Sequence, residues 1–340
     1  MVMEPRKQDI LRAVVEDFTV TGVPVGSKSL AQSRFINLSS ATIRNELSEL
    51  ADQGYVLKPH TSAGRVPTDR GYRYFVDFLM DLEEIPWAVR AFIDQELGSV
   101  SADGQAMVDR VASTLAQVTG NAAIATAPHG SQARVKHLDL VCLEPTEVLL
   151  VLVVEGNLVR QQVAPLSVLT DQATLTRLSN KLNQELLGAD RDMVRHALTL
   201  SPAPLEQEVL EALAEALQHF EVGAEAMVVH DGVRNLLRQP EFSETARLQE
   251  VLEVLEETRH LGALLQQLAR GQGLQIVIGS ENLASQFRFC TLILSTYGPS
   301  RQVKGVIGVL GPTRMDYGQT VARLQAVASR ASERLLDLRG

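Results

Sequence analysis

The sequence predicts an α+β fold divided among several domains, and three observations carry that prediction. The N-terminal stretch reads as three helices followed by a two-stranded hairpin. Beyond it, β-rich apolar runs lie on either side of a long block with helical periodicity. Basic and acidic residues are shared unevenly between the two regions. At 340 residues the chain is about two to three domains long on ordinary domain sizes.

The first helix is predicted from about Pro5 to Thr19, because Ile10, Leu11, Val14, Val15 and Phe18 recur on one face. After the turn from Thr21 to Gly26, Ser27 can cap a short helix to about Ser33 with Leu30 and Ala31 inward. A third helix starts at Ser39 or Ser40, whose hydroxyl can accept from a free amide of the first turn, and stops at Gly54. Ile43, Leu47 and Leu50 form its buried stripe. At about 100° per residue this leaves Ala41, Arg44, Asn45 and Ser48 on the opposite face. Tyr55 to Pro59 reads as a short strand and Arg65 to Pro67 as its return, with His60 to Gly64 between them. Three helices and a hairpin make the winged form of the helix-turn-helix, in which the third helix enters the DNA major groove and the hairpin flanks it. Thr68 then caps an aromatic-rich helix expected to end near Pro86.

Ile85 to Gly104 reads as a connector, partly helical, and Gln105 to Thr119 as an amphipathic helix. Strands are expected at Lys136 to Cys142, Glu147 to Glu155 and Leu158 to Val163, with Glu155-Gly156-Asn157 as a hairpin turn. Asp171 to Ala226 switches to helical period, most strongly from Leu205 to Phe220. Strand signals return at Met227 to Val229, Leu274 to Ile278, Phe287 to Thr296 and Lys304 to Leu310, and Gln319 to Leu338 closes the chain as a helix. The expected body is a helix-flanked antiparallel sheet interrupted by a helical block.

Hydrophobic residues at 45% and charged residues at 21% are ordinary globular usage, and a mean hydropathy of +0.02 fits a soluble protein. The longest apolar run, Val148 to Val154, is far below the roughly 20 residues of a membrane span. The N-terminus has no signal-peptide pattern, which places the chain in the cytoplasm by expectation. Cys142 and Cys290 each sit in a strand-like run and read as reduced core thiols. The formal charge is −9, but residues 1–73 hold 10 Lys and Arg against 8 Asp and Glu, which leaves −11 on the remainder. From Gly26 to Arg73 the balance is 7 basic against 4 acidic, so a small basic module is attached to an acidic body. The seven histidines show no metal-ligand spacing, neither cysteine has a close partner, and no nucleophile or zinc-hydrolase motif occurs. No enzyme activity, metal or cofactor is expected. Gly305 to Gly311 lacks the Gly-Lys-Ser/Thr ending of a phosphate loop and reads as a strand.

Two separated motifs carry a resemblance. Leu38 to Phe78, containing Ser39-Ser40-Ala41-Thr42-Ile43-Arg44-Asn45-Glu46, Pro59-His60-Thr61-Ser62-Ala63-Gly64-Arg65 and Gly71-Tyr72-Arg73-Tyr74, resembles the HrcA family of bacterial heat-shock repressors. So do Gly279-Ser280-Glu281-Asn282 and the run from Gly308 to Tyr317. The resemblance covers essentially the whole chain. It implies a winged helix-turn-helix domain at 1–80, a linker at 81–104, a discontinuous GAF-like domain at 105–166 and 223–340, and an inserted, mainly helical dimerising domain at 167–222. It also implies a homodimer on an inverted-repeat operator of the CIRCE type upstream of chaperone operons, release on heat stress, and the GroE chaperonin as partner.

Residue chemistry supplies roles within that expectation. Arg44 can fork onto guanine O6 and N7, and Asn45 can pair with adenine, each contributing roughly 1–3 kcal/mol of discrimination. Ser39, Ser40 and Thr42 are expected to hold phosphates at the positive helix end. His60, Thr61, Ser62 and Arg65 are expected to reach the backbone or minor groove from the wing, with Gly64 allowing the tight return. Tyr72 and Phe75 are expected to pack, and Arg314, Asp316 and Tyr317 to form a cap that docks the last helix. A dimer surface is expected on Leu175, Leu178, Leu182, Leu213 and Leu217, whose stripes can equally be an internal core. Two alternative functions stay open: a GAF-like regulator whose DNA affinity a small molecule sets, and, more weakly, an enzyme with a winged-helix appendage.

Overall fold

The computed structural model describes residues 3–60, 63–99, 104–130, 133–155, 159–221, 228–242, 245–256, 265, 273–282, 285–298 and 303–337. In chain order, helices α1 (Pro5–Thr21), α2 (Ser27–Ser33) and α3 (Ser40–Asp52) precede a hairpin of β1 (Val56–Leu57) and β2 (Val66–Pro67). Next come α4 (Asp69–Tyr74), α5 (Trp87–Gly98), α6 (Gly104–Thr119) and β3 (Ala122–Thr126). Strands β4 (His129–Gly130), β5 (Val135–Glu144), β6 (Glu147–Val154) and β7 (Val159–Pro165) lead to α7 (Gln172–Glu185), α8 (Arg191–Leu200) and α9 (Pro204–Glu221). The chain ends through β8 (Val228–Asp231), α10 (Val233–Leu236), α11 (Thr245–Glu256), β9 (Gln275–Ile278), β10 (Cys290–Tyr297), β11 (Val303–Pro312) and α12 (Tyr317–Asp337). These elements form two compact units, residues 1–126, 228–297 and 306–340 in the first and residues 127–227 and 298–305 in the second.

The first unit contains a helical head and a sheet. The head closes over Ile10, Leu11 and Val14 of α1, Leu30 of α2, and Ile43, Leu47 and Leu50 of α3, all fully or almost fully buried. Burial of a side chain of this size contributes about 1.5–3 kcal/mol, enough to hold three short helices that would not persist alone. The hairpin is short, pairing Val56 with Pro67 and Leu57 with Val66, and its return strand is bridged to Val25 ahead of α2. The aromatic helix ends earlier than expected. After α4 it widens into a π-helical turn, Phe75–Leu79, that keeps Phe75 and Leu79 buried, and Met80 then turns to extended backbone.

The sheet has the order β8-β3-β11-β10-β9, with β8–β3, β3–β11 and β10–β9 antiparallel. Its inner strand β3, Ala-Ala-Ile-Ala-Thr, is buried throughout and was absent from the expected strands. Alanine is a weak strand signal, yet small side chains let α6 lie close across this strand, where Val108, Val111 and Leu115 are fully buried. Val321, Leu324 and Val327 of α12 are equally buried. The predicted connector holds a regular helix, α5, tied to α12 by Arg330–Asp94 at 3.0 Å.

The second unit is a three-stranded antiparallel sheet, β5-β6-β7, covered on one face by α7, α8 and α9. Leu138, Leu140, Val148, Leu150, Leu152 and Val154 point from the sheet into that layer. The boundary expected at Ser167 is therefore corrected to Ala127, because the three strands share a core with the helical block. The predicted dimer surface is corrected for the same reason. Leu175, Leu182, Leu213 and Leu217 are fully or almost fully buried in this core, and the partly buried Leu178 packs against it. The edge of β5 is closed by side chains of α7. Asn183 accepts from Leu138 N–H and donates to Leu138 C=O, both at 2.8 Å, and Gln172 does the same for Cys142 N–H (2.8 Å) and Leu140 C=O (2.9 Å). An edge so occupied cannot recruit another strand. The expected turn at Gly156 and Asn157 lies outside the described residues.

Candidate nucleic-acid interface

Helix α3 is capped at its start as its sequence requires. Ser39 is the N-cap, accepting from Thr42 N–H at 3.0 Å while its hydroxyl meets the Thr42 hydroxyl at 2.9 Å. Ile43, Leu47 and Leu50 face inward, which turns Ala41, Arg44 and Asn45 to solvent with Ser48 half-exposed. The opposite flank is fastened to α1, where Lys7 reaches Glu49 at 3.0 Å and Glu46 at 3.8 Å. Hydrogen bonds to Glu49 and Glu4 hold the Lys7 ammonium above its ordinary range. The exposed face thus sits on a helix fixed at its cap, its stripe and its back.

A groove of about 480 Å³ opens beside that face, lined by Lys28, Arg44, Ser48, Lys58 and Arg65 together with the backbone around Gly26 and Gly64. Lys28 comes from the first turn of α2, Arg44 from α3, and Lys58 and Arg65 from the two arms of the hairpin. Among the described residues these four cations take part in no ion pair, whereas Arg6, Lys7, Arg12, Arg34 and Arg73 of the same head are each matched to carboxylates. Unmatched positive charges gathered on one groove raise the local potential and attract an anion. Lys28 and Lys58 were counted in the basic balance of this stretch but not singled out, since nothing local links residues 30 positions apart.

The remaining predicted residues divide. Ser40 is half-exposed at the start of α3, and His60 is exposed at the hairpin tip; Thr61 and Ser62 lie outside the described residues. Arg65 points back toward α3, its Nε 3.5 Å from Leu47 C=O, so it lines the groove from behind. Gly64 is required by close approach: a Cβ there would stand 2.4 Å from Val25 C=O.

Within the Gly71-Tyr72-Arg73-Tyr74 motif, Tyr72 and Arg73 face the sheet of the same unit, whereas Gly71 lies against Tyr55 C=O and Tyr74 packs on Tyr55 within the head. The Tyr72 ring lies 5.7 Å from that of Tyr317, as its packing role requires. Arg73 makes a two-point bond to Glu281 (Nε to Oε1 2.8 Å), donates to Ile276 C=O, and pairs with Asp77 at 3.2 Å. Asp69 accepts from Ser280 N–H at 2.8 Å and from the Ser280 hydroxyl at 2.7 Å. Burial pushes the Glu281 carboxyl up, but the hydrogen bond from Arg73, the one from Ile278 N–H and the Arg73 charge together bring it below its usual range. Asp316 caps α12 by accepting from Gln319 N–H at 3.0 Å, and Tyr317, whose hydroxyl burial pushes well up, is enclosed beneath it. Arg314 instead reaches Thr19 C=O of α1 at 2.8 Å and Glu241 at 2.6 Å.

A helix presenting an arginine and an asparagine to solvent beside an unpaired cationic groove has the chemistry of a nucleic-acid binder. Comparison with known proteins agrees. Residues 105–321 match the family model described as the HrcA protein C terminal domain. The "Heat-inducible transcription repressor HrcA" of Herpetosiphon aurantiacus is 35% identical over 99% of this chain and 97% of its own length, and that of Desulforamulus reducens is 34% identical over 99% and 98%. The chain belongs to the HrcA family, whose members are named as transcription repressors and not as enzymes. A crystal structure described as a hypothetical protein shares the fold, with a TM-score of 0.62 at 19% identity over 99% of this chain and 100% of that one. Among the described residues no helix is long and apolar enough to cross a membrane.

Proposed function

We propose that the chain is a DNA-binding repressor of chaperone operons that binds a CIRCE-type inverted repeat as a homodimer and leaves it on heat stress. The observation that carries this reading is the pairing of the exposed Arg44–Asn45 face with the unmatched cations of the adjoining groove. In this reading residues 1–80 are a winged helix-turn-helix. Helix α3 enters the major groove, where Arg44 and Asn45 read base edges. Lys28, Lys58 and Arg65 hold phosphates from the groove, and Ser39, Ser40 and Thr42 do so from the helix start. His60, and with it Thr61 and Ser62, flank the duplex from the wing. The sheet bearing β3 and β9 to β11 is the GAF-like domain, and the second unit is the inserted dimerising domain. Two-fold symmetry of the dimer matches the palindrome of its operator.

The dimer surface in this reading is the uncovered face of β5-β6-β7. There Val141, Leu149 and Val163 lie in one cross-strand row and Val153 stands opposite Val159, with Val159 at 59% and Val163 at 52% exposure. Heat acts through marginal stability, since losing one or two kcal/mol changes the folded population about five- to thirtyfold. Unfolding followed by aggregation leaves recovery to a chaperonin of the GroE class in the cytoplasm.

The test is binding of the full chain to a labelled inverted repeat and to a scrambled duplex at fixed salt. Preference for the repeat supports the reading. Equal binding to both refutes it and turns attention to a small-molecule ligand.

A further inference from the structure

We propose that Asp69, Arg73 and Arg314 are positioning residues that latch the DNA-reading head to the sheet of the first unit and thereby set the half-site spacing a dimer accepts. This rests on the reading of α3 as the base-reading helix of a dimer. Three polar attachments separated by two hundred positions or more in the chain meet here: Asp69 on Ser280, Arg73 on Glu281 and Ile276 C=O, and Arg314 on Thr19 C=O. They arise from both ends of the head, its first helix α1 and its last helix α4, so together they fix its orientation as well as its contact.

The approach is too close to be incidental. Gly279 adopts φ +53°, a left-handed conformation that favours glycine, and a Cβ there would fall 2.4 Å from the Asp69 carboxylate. Arg73 commits four of its five N–H donors to Glu281, Ile276 and Asp77, so although it belongs to the basic stretch its guanidinium is turned to the sheet and to Asp77. Its partner strand β9 closes one end of the sheet, and the Arg73 bond occupies a backbone carbonyl there that would otherwise stay open. The latch is polar and only partly buried, with Arg73 and Glu281 side chains 30% and 35% exposed. That makes its contribution one of geometry more than of bulk stability.

A dimer that binds one half-site delivers its second head at an effective concentration fixed by how the heads are held. Rigid heads favour one spacing strongly, whereas loose heads bind that spacing less well and tolerate others better. The experiment measures affinity of the full chain for a duplex with a single half-site, and for inverted repeats whose spacer is lengthened or shortened base pair by base pair. Wild type, Arg73→Ala, Arg73→Lys and Glu281→Gln are compared. Wild type is expected to lose about tenfold or more in affinity off its best spacing. Arg73→Ala and Glu281→Gln should keep half-site affinity within about twofold while that penalty shrinks to about twofold or less, and Arg73→Lys, which keeps a cation against Glu281, should retain more of it than Arg73→Ala. Should Arg73→Ala fail to fold, Asp69→Ala carries the same expectation. A wild-type spacing profile in the folded variants overturns the latch. Loss of half-site affinity also overturns it, by making Arg73 a DNA contact. A wild type that does not prefer the half-site to scrambled DNA overturns the DNA reading itself, and the latch with it.

Discussion

Leu213 separates a core role from an interface role. Its side chain is fully buried between α9 and the sheet of the second unit, in one cluster with Leu175, Leu182, Leu210 and Leu217. Replacing a leucine so placed by alanine costs the transfer energy of the lost methyl groups plus the cavity left behind, about 3–5 kcal/mol. For a unit of this size each kcal/mol lowers the melting temperature by about 4–8 °C, so Leu213→Ala should lower it by roughly 12–40 °C. Val163, half-exposed on the uncovered sheet face, should behave in the opposite way. Val163→Lys is expected to convert dimer to a folded monomer, losing only the stability that dimerisation adds. Calorimetry gives the melting temperatures, and light scattering on the same samples gives the mass. The reasoning is refuted if Leu213→Ala melts within about 3 °C of wild type, or if it yields a folded monomer while Val163→Lys stays dimeric.

Two further outcomes follow from named contacts. Asn183→Ala leaves Leu138 N–H without its partner at the edge of β5 and should cost about 1–3 kcal/mol; faster amide exchange at Leu138 than in wild type checks it, and unchanged protection counts against the edge-closing role. Glu281 is held below its ordinary value of 4.5 mainly by Arg73 against the opposing effect of burial, so its stabilising bond is complete above that value and is lost as pH falls through the lowered one. The melting-temperature difference between wild type and Glu281→Gln should therefore be constant from neutral pH down to about 4.5 and shrink below it, and a difference that grows on acidification would contradict the pairing.

What the sequence revealed follows the range of its signals. Helix α3 was legible because its stripe, its Ser39 cap and its exposed Arg44–Asn45 face all lie within one short segment. The strands and the helical block of the second unit were legible too, but their packing was not, because Val148 to Val154 is apolar at every position. Without alternation the sequence does not say which face of β6 is covered, or that α7 to α9 cover it. The same ambiguity placed buried leucines at an interface and left the exposed valines of β7 unnoticed. Strand β3 escaped because its alanines are chosen for close packing against α6, which propensity does not register. The groove joins Lys28 to Lys58, and the latch joins Asp69 to Ser280; both depend on contacts no local pattern encodes.

The central claim is that α3 reads bases while the groove beside it holds phosphates. Its most direct test is the salt dependence of binding to operator and scrambled duplexes for wild type, Arg44→Ala and Lys58→Ala. Arg44→Ala should weaken operator binding by about 1–3 kcal/mol and leave scrambled binding much closer to wild type. Lys58→Ala should weaken both duplexes alike and reduce the slope of log affinity against log salt by about one. If Arg44→Ala instead weakens both duplexes equally, or Lys58→Ala leaves the salt slope unchanged, the assignment of bases to the helix and phosphates to the groove is wrong.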